Sequence, residues 1–372
     1  MPRRQSFQLL IKPVGADCNL DCGYCFYLRA AELYPEAPRH IMSTDVLETV
    51  IAGFMRLRLP ESVFCWQGGE PTLARVQFYR RAAELQQRYG ASGQVVANAF
   101  QTNGVLVDDE WCRLFHEYRF LVGLSLDGPI DVHDAVRRNR AGEGSWSKVM
   151  AAAERMRHYG VEFNVLCVVH SGNVSLGSDL LRWFQAHGFD HVQFIPCIER
   201  NMPHTVSAEA YGAFLCDTFD YWSREGFGRV SARDFDAILA ARQGRGGQVC
   251  TYARKCDQYI VIEHNGDVYP CDFFVTGEWK LGNVKDSPLD SFIELDKFKA
   301  FAYQKDKVPA CRECPWRQTC HGGCQKDRLV GGTTSDPTIL CSAYKRFFRH
   351  AMPRFNTLAK RMPRDPARAG SA

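Results

Sequence analysis

The sequence predicts an α/β chain: a partial (β/α)6 barrel, then a helical link, a cysteine-rich domain and a closing helix. Three observations predict it. From Ser6 to about Arg200, strand-like and helix-like stretches alternate in six units, and such alternation gives a parallel sheet with right-handed crossovers. The glycine-rich and polar stretches CNLDCGYC, QGGEP, QTNG and SLDGP each follow a strand-like run. They therefore fall at strand C-termini, where α/β architectures build their sites. Finally, the 16 cysteines are unevenly placed, with three in the opening stretch and eight between Cys250 and Cys341.

The elements follow in order. FQLLIKPVG reads as the first strand. MSTDVLETVIAGFMRL has helical spacing and offers Ser43 or Thr44 as its cap. SVFCWQGG is a strand ending in glycines, VQFYRRAAELQQRYG a helix stopped by Gly90, and VVANAFQTNG a strand. DDEWCRLFHEY (helix), FLVGLSLDG (strand) and SWSKVMAAAERMRHYG (helix ended by Gly160) come next. EFNVLCVVH, SLGSDLLRWFQAHG and HVQFIPCIE supply the last strand, helix and strand. We read residues 1–200 as the barrel and 201–249 as a link with two helices, SAEAYGAFLCDTFDYWSREG and ARDFDAILAARQG, broken by GRGGQ. Residues 250–345 form the cysteine-rich domain of short strands and turns. Residues 346–372 are the end of a closing helix, interrupted near Pro353, and a disordered tail.

Composition narrows the class. Hydrophobic residues make up 45% and charged residues 24%, as in an ordinary globular protein. A net charge of +4 is too mild to suggest a nucleic acid or a membrane surface as partner. No apolar run approaches the ~20 residues of a spanning helix, and MPRRQSFQLLIKP reads as a basic tip before a strand, not as a signal peptide. The expected location is the cytoplasm. There, dense cysteine points to metal or redox use, not disulfides. Cys65, Cys112, Cys167, Cys197 and Cys216 stand singly among apolar or helical residues and read as small buried hydrophobes.

Cys18, Cys22 and Cys25 lie within eight residues, flanked by aromatics in GYCFY. Three close thiolates can hold three irons of a [4Fe–4S] cube and leave the fourth iron open for substrate or cofactor. A structural zinc site asks for a fourth Cys or His nearby; the nearest histidine in sequence is His40, beyond a helical segment. The eight later thiols are numerous enough for two fully ligated [4Fe–4S] clusters, and a pair of zinc ribbons is the competing reading.

With these motifs in view, the chain resembles the radical S-adenosylmethionine (SAM) superfamily. The resemblance implies that Cys18, Cys22 and Cys25 hold the cluster whose open iron chelates SAM. Gly68, Gly69 and Glu70 of GGEP resemble the segment at the methionine amino group. Ser125 and Asp127 of SLDGP resemble the polar pair near the ribose and carboxylate, with Asn103 and Arg137 assisting. The later cysteines look like a SPASM domain. That pattern implies an interleaved assignment: Cys250, Cys256, Cys271 and Cys324 for one auxiliary cluster, Cys311, Cys314, Cys320 and Cys341 for the other.

The stretches CNLDCGYCFY, QGGEPTL, QTNG, FLVGLSLDGP, VEFNVLCVVH and VYPCDFFV are, more narrowly, similar to anaerobic sulfatase-maturating enzymes. The likeness runs from Leu9 to about Phe355. It implies three [4Fe–4S] clusters, SAM, and oxidation of a cysteine or serine in a sulfatase Cys/Ser-x-Pro/Ala-x-Arg segment to Cα-formylglycine. An early cluster strand, with no leader-peptide-binding domain before it, favours this reading over a peptide-tailoring relative. Read alone, Asp272 in YPCDFF is equally a turn residue; the resemblance makes it the catalytic base, and apolar neighbours that raise its pKa would suit that task. The resemblance also gives Tyr27 the placing of Asp272 and Gln67 a peptide contact. The implied partners are an unfolded or nascent sulfatase and a donor such as flavodoxin or ferredoxin, with the enzyme a monomer. Two competitors are a SPASM-type maturase forming thioether or carbon crosslinks, and a non-catalytic electron carrier.

Overall fold

A computed structural model describes residues 6–35, 39–200, 202–245 and 249–361. The basic tip, most of the GRGGQ break and the C-terminal tail lie outside the described residues. The expected alternation is present as β1 (Gln8–Ile11), α1 (Thr44–Arg56), β2 (Glu61–Trp66), α2 (Arg75–Tyr89), β3 (Val95–Thr102), α3 (Asp109–Glu117) and β4 (Leu121–Ser125). It continues through α4 (Ile130–Val136), α5 (Trp146–His158), β5 (Phe163–Val169), α6 (Gly177–Ala186) and β6 (His191–Pro196). Ser43 caps α1 by accepting from Val46 N, and Asp108 caps α3 through Glu110 N and Trp111 N, satisfying amides that a helix start leaves free. Helix α4 is an addition to the expected order. It grows out of Pro129, whose fixed φ suits a helix start, and it delivers Arg137 at its end.

The rest of the chain forms α7 (Ala208–Tyr221), β7 (Ser231–Ala232), α8 (Arg233–Arg242), β8 (Tyr259–Ile262), β9 (Asp267–Tyr269), β10 (Gly282–Asn283), α9 (Leu289–Glu294), α10 (Asp296–Ala302), α11 (Arg317–Cys320), α12 (Gln325–Gly331) and α13 (Cys341–Arg361). Two compact units result. One comprises residues 1–167 with 255–303, the other 168–254 with 304–372.

In the first unit, β1 to β5 pair in parallel in sequence order. Strand β8 joins the free side of β1, also in parallel, and β9 and β10 follow antiparallel. The cysteine-rich segment thus lends three strands to the sheet that carries the cysteine triad. Under the sheet, Phe64, Trp66, Tyr79, Phe100 and Phe115 are all buried, their rings in contact at 5.0 to 6.1 Å. One polar pair is folded into this core. Asn98 and Gln86 exchange both amide bonds at 3.0 Å, and Trp66 Nε1 donates to Asn98 at 2.9 Å, so these two buried amides satisfy each other.

In the second unit, β6 and β7 pair in parallel and α13 packs along α7 and α8. The closing helix corrects one expectation: α13 runs unbroken through Pro353. A proline removes one hydrogen bond from a helix, but Phe347, Phe348, Ala351, Phe355 and Leu358 form one buried stripe on both sides of it. Burying that stripe against α7 and α8 outweighs the lost bond. Of the five scattered cysteines, Cys112, Cys167 and Cys197 are buried as expected, while Cys65 and Cys216 are half-buried.

Candidate active site

Strand register sets the site. Ile262, Ile11 and Trp66 sit abreast on β8, β1 and β2. The residues that follow them, Glu263, Lys12 and Gln67, therefore leave the sheet edge side by side. Backbone bonds hold this alignment past the strand ends, from Lys12 N to Ile262 O at 2.8 Å and from Gln67 N to Ile11 O at 2.9 Å. Asp272 reaches the same place from the loop after β9. Its Oδ2 accepts from Gln67 Nε2 at 2.8 Å, and its Oδ1 contacts Lys12 Nζ. Lys12 is completely buried and Asp272 nearly so.

Two expectations change here. The surroundings of Asp272 are not simply apolar, because a buried ammonium is its neighbour. Tyr27 does not hold Asp272 directly. Its hydroxyl donates to Glu263, and its ring lies 4.1 Å from the Lys12 ammonium that contacts Asp272. Gln67 binds the Asp272 carboxylate. Sequence reasoning passed over Lys12; its signal was a lone charge closing the apolar run LLIK.

The triad loop follows β1 directly and is stitched on two sides. Gly69 N and Glu70 N donate to Gly15 O and Asp17 O at 2.8 Å each, while Asp21 N and Gly23 N donate to Arg138 O and Val136 O at 2.7 and 3.0 Å. The GGEP stretch thus serves the triad loop through its backbone. The Glu70 side chain is wholly buried and accepts from Thr72 N, Thr72 Oγ1, Thr102 Oγ1 and Asn103 N at 2.7 to 3.0 Å. Burial pushes its carboxyl up, and these donors oppose the push. Its role is to tie the end of β2 to the end of β3. Asn103 Nδ2 reaches Asn19 Oδ1 at 2.7 Å and lies 3.8 Å from Cys18 Sγ.

Asp127 is fully buried. It receives the Arg137 fork, with Nε to Oδ2 at 2.9 Å and Nη2 to Oδ1 at 3.3 Å, and the Tyr24 hydroxyl. Burial works against its charge, yet Arg137 and His133 hold the carboxyl below its ordinary range. This pair anchors the segment that carries Val136 and Arg138 against the triad loop. Ser125 accepts from Gln101 Nε2 at 3.0 Å. On the other side, Phe26 packs at a tilt on Phe273 with centroids 4.4 Å apart, so the aromatics beside Cys25 pack onto the residue next to Asp272.

The thiols fit an iron cluster. Cys18, Cys22 and Cys25 are half-buried. Burial, reinforced by the Glu70 charge, pushes Cys18 up to about 12, and burial pushes Cys22 up to about 11. Such thiols keep their protons until a metal displaces them. Among the described residues no three His, Cys, Asp or Glu side chains converge as a single ion would require; a cube puts each thiolate on its own iron and does not ask for it. Of the later cysteines, Cys256 and Cys271 belong to the first unit, Cys250 and Cys324 to the second. Cys311, Cys314, Cys320 and Cys341 line one recess of the second unit.

Residues 13–174 match the radical SAM superfamily, and residues 250–315 match the iron–sulfur cluster-binding SPASM domain. A serine-type anaerobic sulfatase-maturating enzyme of Bacteroides thetaiotaomicron is 36% identical over 99% of this chain and 95% of its own. The chain belongs to the anaerobic sulfatase-maturating enzymes. A cysteine-type member from Clostridium perfringens is 35% identical over 94% of this chain and 98% of its own. The solved structure of native anSMEcpe with bound AdoMet and Cp18Cys peptide shares 34% identity and a TM-score of 0.90, covering 96% of this chain and all of that one. The two matched domains are those of radical SAM and iron–sulfur cluster-binding proteins. No helix among the described residues is long and apolar enough to cross a membrane.

Gly69 offers a direct test of the stitched loop. A Cβ there would lie 2.0 Å from Asp17 O, so a Gly69→Ala enzyme must push the triad loop away. We expect it to reconstitute with about four fewer irons per chain and to make no 5′-deoxyadenosine. Iron and sulfide analysis beside a SAM-cleavage assay reads both, and full iron content would refute the tight packing.

Proposed function

We propose that this enzyme matures a sulfatase by oxidising a cysteine or serine in a Cys/Ser-x-Pro/Ala-x-Arg segment to Cα-formylglycine. The observation that carries the reading is the carboxylate of Asp272, held at both oxygens by Lys12 and Gln67 in the unit that contains the triad. Cys18, Cys22 and Cys25 would hold the SAM-binding [4Fe–4S] cluster, and the eight later cysteines two auxiliary clusters in the interleaved assignment. When bound, these groups supply one-electron chemistry: a 5′-deoxyadenosyl radical that takes a hydrogen atom from the target Cβ, and an acceptor for the electron that follows.

The chain's own residues do the rest. Asp272 takes the proton from the target thiol or hydroxyl as that electron leaves, so the side chain has lost one hydrogen atom, one proton and one electron. Serine then stands at the aldehyde, and cysteine at a thioaldehyde that water hydrolyses to aldehyde and hydrogen sulfide. Gln67 and Lys12 keep the carboxylate aimed during this transfer. Asp127 and Arg137 hold the loop beside the triad in register. The partners of this reading are an unfolded or nascent sulfatase and a flavodoxin- or ferredoxin-type donor, acting on a cytoplasmic monomer.

The test uses anaerobically reconstituted enzyme, SAM, a reductant, a Cys-x-Pro-x-Arg peptide and its serine twin. Mass spectrometry should show 5′-deoxyadenosine together with a hydrazine-trappable aldehyde at the target residue of at least one peptide. Deoxyadenosine with a crosslinked peptide and no aldehyde would move the enzyme to the crosslinking maturases.

A further inference from the structure

Helix α13 carries charge of one sign. Its residues, CSAYKRFFRHAMPRFNTLAKR, include Lys345, Arg346, Arg349, Arg354, Lys360 and Arg361 and neither aspartate nor glutamate. Its apolar stripe, with Phe347, Phe348, Ala351 and Phe355, is buried. Lys345, Arg346, Arg349 and His350 are exposed on the other side, where three- and four-residue spacing makes them neighbours.

Some of this charge has a local account. Lys360 and Arg361 lie in the last turn, where the helix dipole favours cations. His350 Nε2 meets Asp220 Oδ1 at 2.8 Å, Arg354 Nη2 donates to Ser223 O at 3.0 Å, and Arg346 reaches the Cys216 thiol. Lys345 and Arg349 have no such account. They sit in the half of the helix where the dipole gives cations nothing. They are four residues apart, a spacing at which like charges oppose the helix, and among the described residues neither pairs with a carboxylate.

This charge borders a redox site within the second unit. Lys345 lines the recess of Cys311, Cys314, Cys320 and Cys341, together with Arg317, Trp316 and Phe348. Trp316 and Phe348 pack there with centroids 5.8 Å apart. Arg312, next to Cys311, is exposed as well. The acidic groups nearby are few: Glu313 is exposed, and Asp306 lies 3.9 Å from Arg317. A surface of one sign steers partners of the other, and encounters between redox proteins bury little area. A basic face beside four thiols therefore suits an acidic protein that exchanges electrons.

We propose that the Lys345–Arg349 face of α13 docks an acidic one-electron carrier protein, which takes up the electron that leaves the substrate from the cluster in this recess. The proposal rests on the reading that these four cysteines ligate a cluster. The reduced cluster gives one electron; a flavin quinone on the carrier takes it, with a proton from solvent, as the neutral semiquinone.

The test mixes reduced, reconstituted full-length enzyme with an oxidised acidic flavodoxin in an anaerobic stopped flow and follows the semiquinone. Wild type is compared with Lys345→Glu/Arg349→Glu. The control is Arg140→Glu/Lys148→Glu, which makes the same change in net charge at exposed positions of the first unit. Reversal on α13 should slow electron transfer about tenfold or more at low ionic strength, and the difference should shrink as salt rises; the control should stay near the wild-type rate. Equal rates in all three, or equal slowing in both variants, would overturn the proposal. If the α13 reversal loses iron, the neutral pair Lys345→Gln/Arg349→Gln decides: slower transfer at full iron content supports docking, and an unchanged rate refutes it. A labelled RNA hairpin that wild type binds more tightly than the flavodoxin at the same salt, and that the reversal releases, would assign the face to nucleic acid and overturn the proposal. Wild-type iron too low for a second auxiliary cluster would instead remove the cluster reading beneath it.

Discussion

An Asp272→Asn enzyme cleaves SAM but leaves its peptide unoxidised. The amide keeps the shape of the carboxylate, and its oxygen can still accept from Gln67. What it cannot do is take a proton from the target side chain. General-base removal costs on the order of 10²- to 10⁴-fold in rate, so aldehyde formation should fall by at least about 10²-fold. Deoxyadenosine should continue to appear, because the triad loop is stitched by GGEP and by residues 136–138, not by Asp272. Mass spectrometry of both products in one reaction reads the uncoupling, and the iron content of the variant confirms that its clusters are in place. Aldehyde at the wild-type rate would assign the proton to another group.

The second large effect is on stability. Lys12→Met leaves Asp272 with a buried oxygen and no cation beside it. Breaking a buried pair in this way costs about 3–5 kcal/mol, which is a large part of a domain's net stability. Anaerobic denaturant melts of Lys12→Met should show that loss. Adding Asp272→Asn to Lys12→Met should restore part of it, since a neutral amide no longer needs the ammonium. Such non-additivity is the mark of a direct pair; strictly additive losses would show that the two side chains are not coupled. Arg at position 12 keeps the charge but replaces a compact ammonium by a planar fork above the Tyr27 ring, so we expect Lys12→Arg to recover stability better than activity.

Much of this was legible in the residues. Cys18, Cys22 and Cys25 announce themselves by spacing, because three thiols within eight residues of one loop can serve one cube. The alternation of β1 to β6 with their helices follows from local periodicity, and Ser43 and Gly90 mark helix ends by their own local chemistry. Pro353 was misread because a local rule, that proline breaks helices, yields to the packing of an apolar stripe on both sides of it. Helix α4 was missed because seven residues after a glycine–proline turn carry too little periodicity to stand out.

The sequence by itself determined the α/β alternation, the cysteine sets and the loops at the strand ends, since each is written in residues close along the chain. Only the tertiary structure decided what Asp272 faces. Lys12, Gln67, Glu263 and Asp272 come from four separate stretches, and no local pattern links them. They meet because parallel pairing of β8, β1 and β2 fixes which residues leave the sheet edge together, and a slip of one residue would turn each side chain to the opposite face. Hydrogen-bond register and burial, acting between residues far apart in the chain, turn legible motifs into a site.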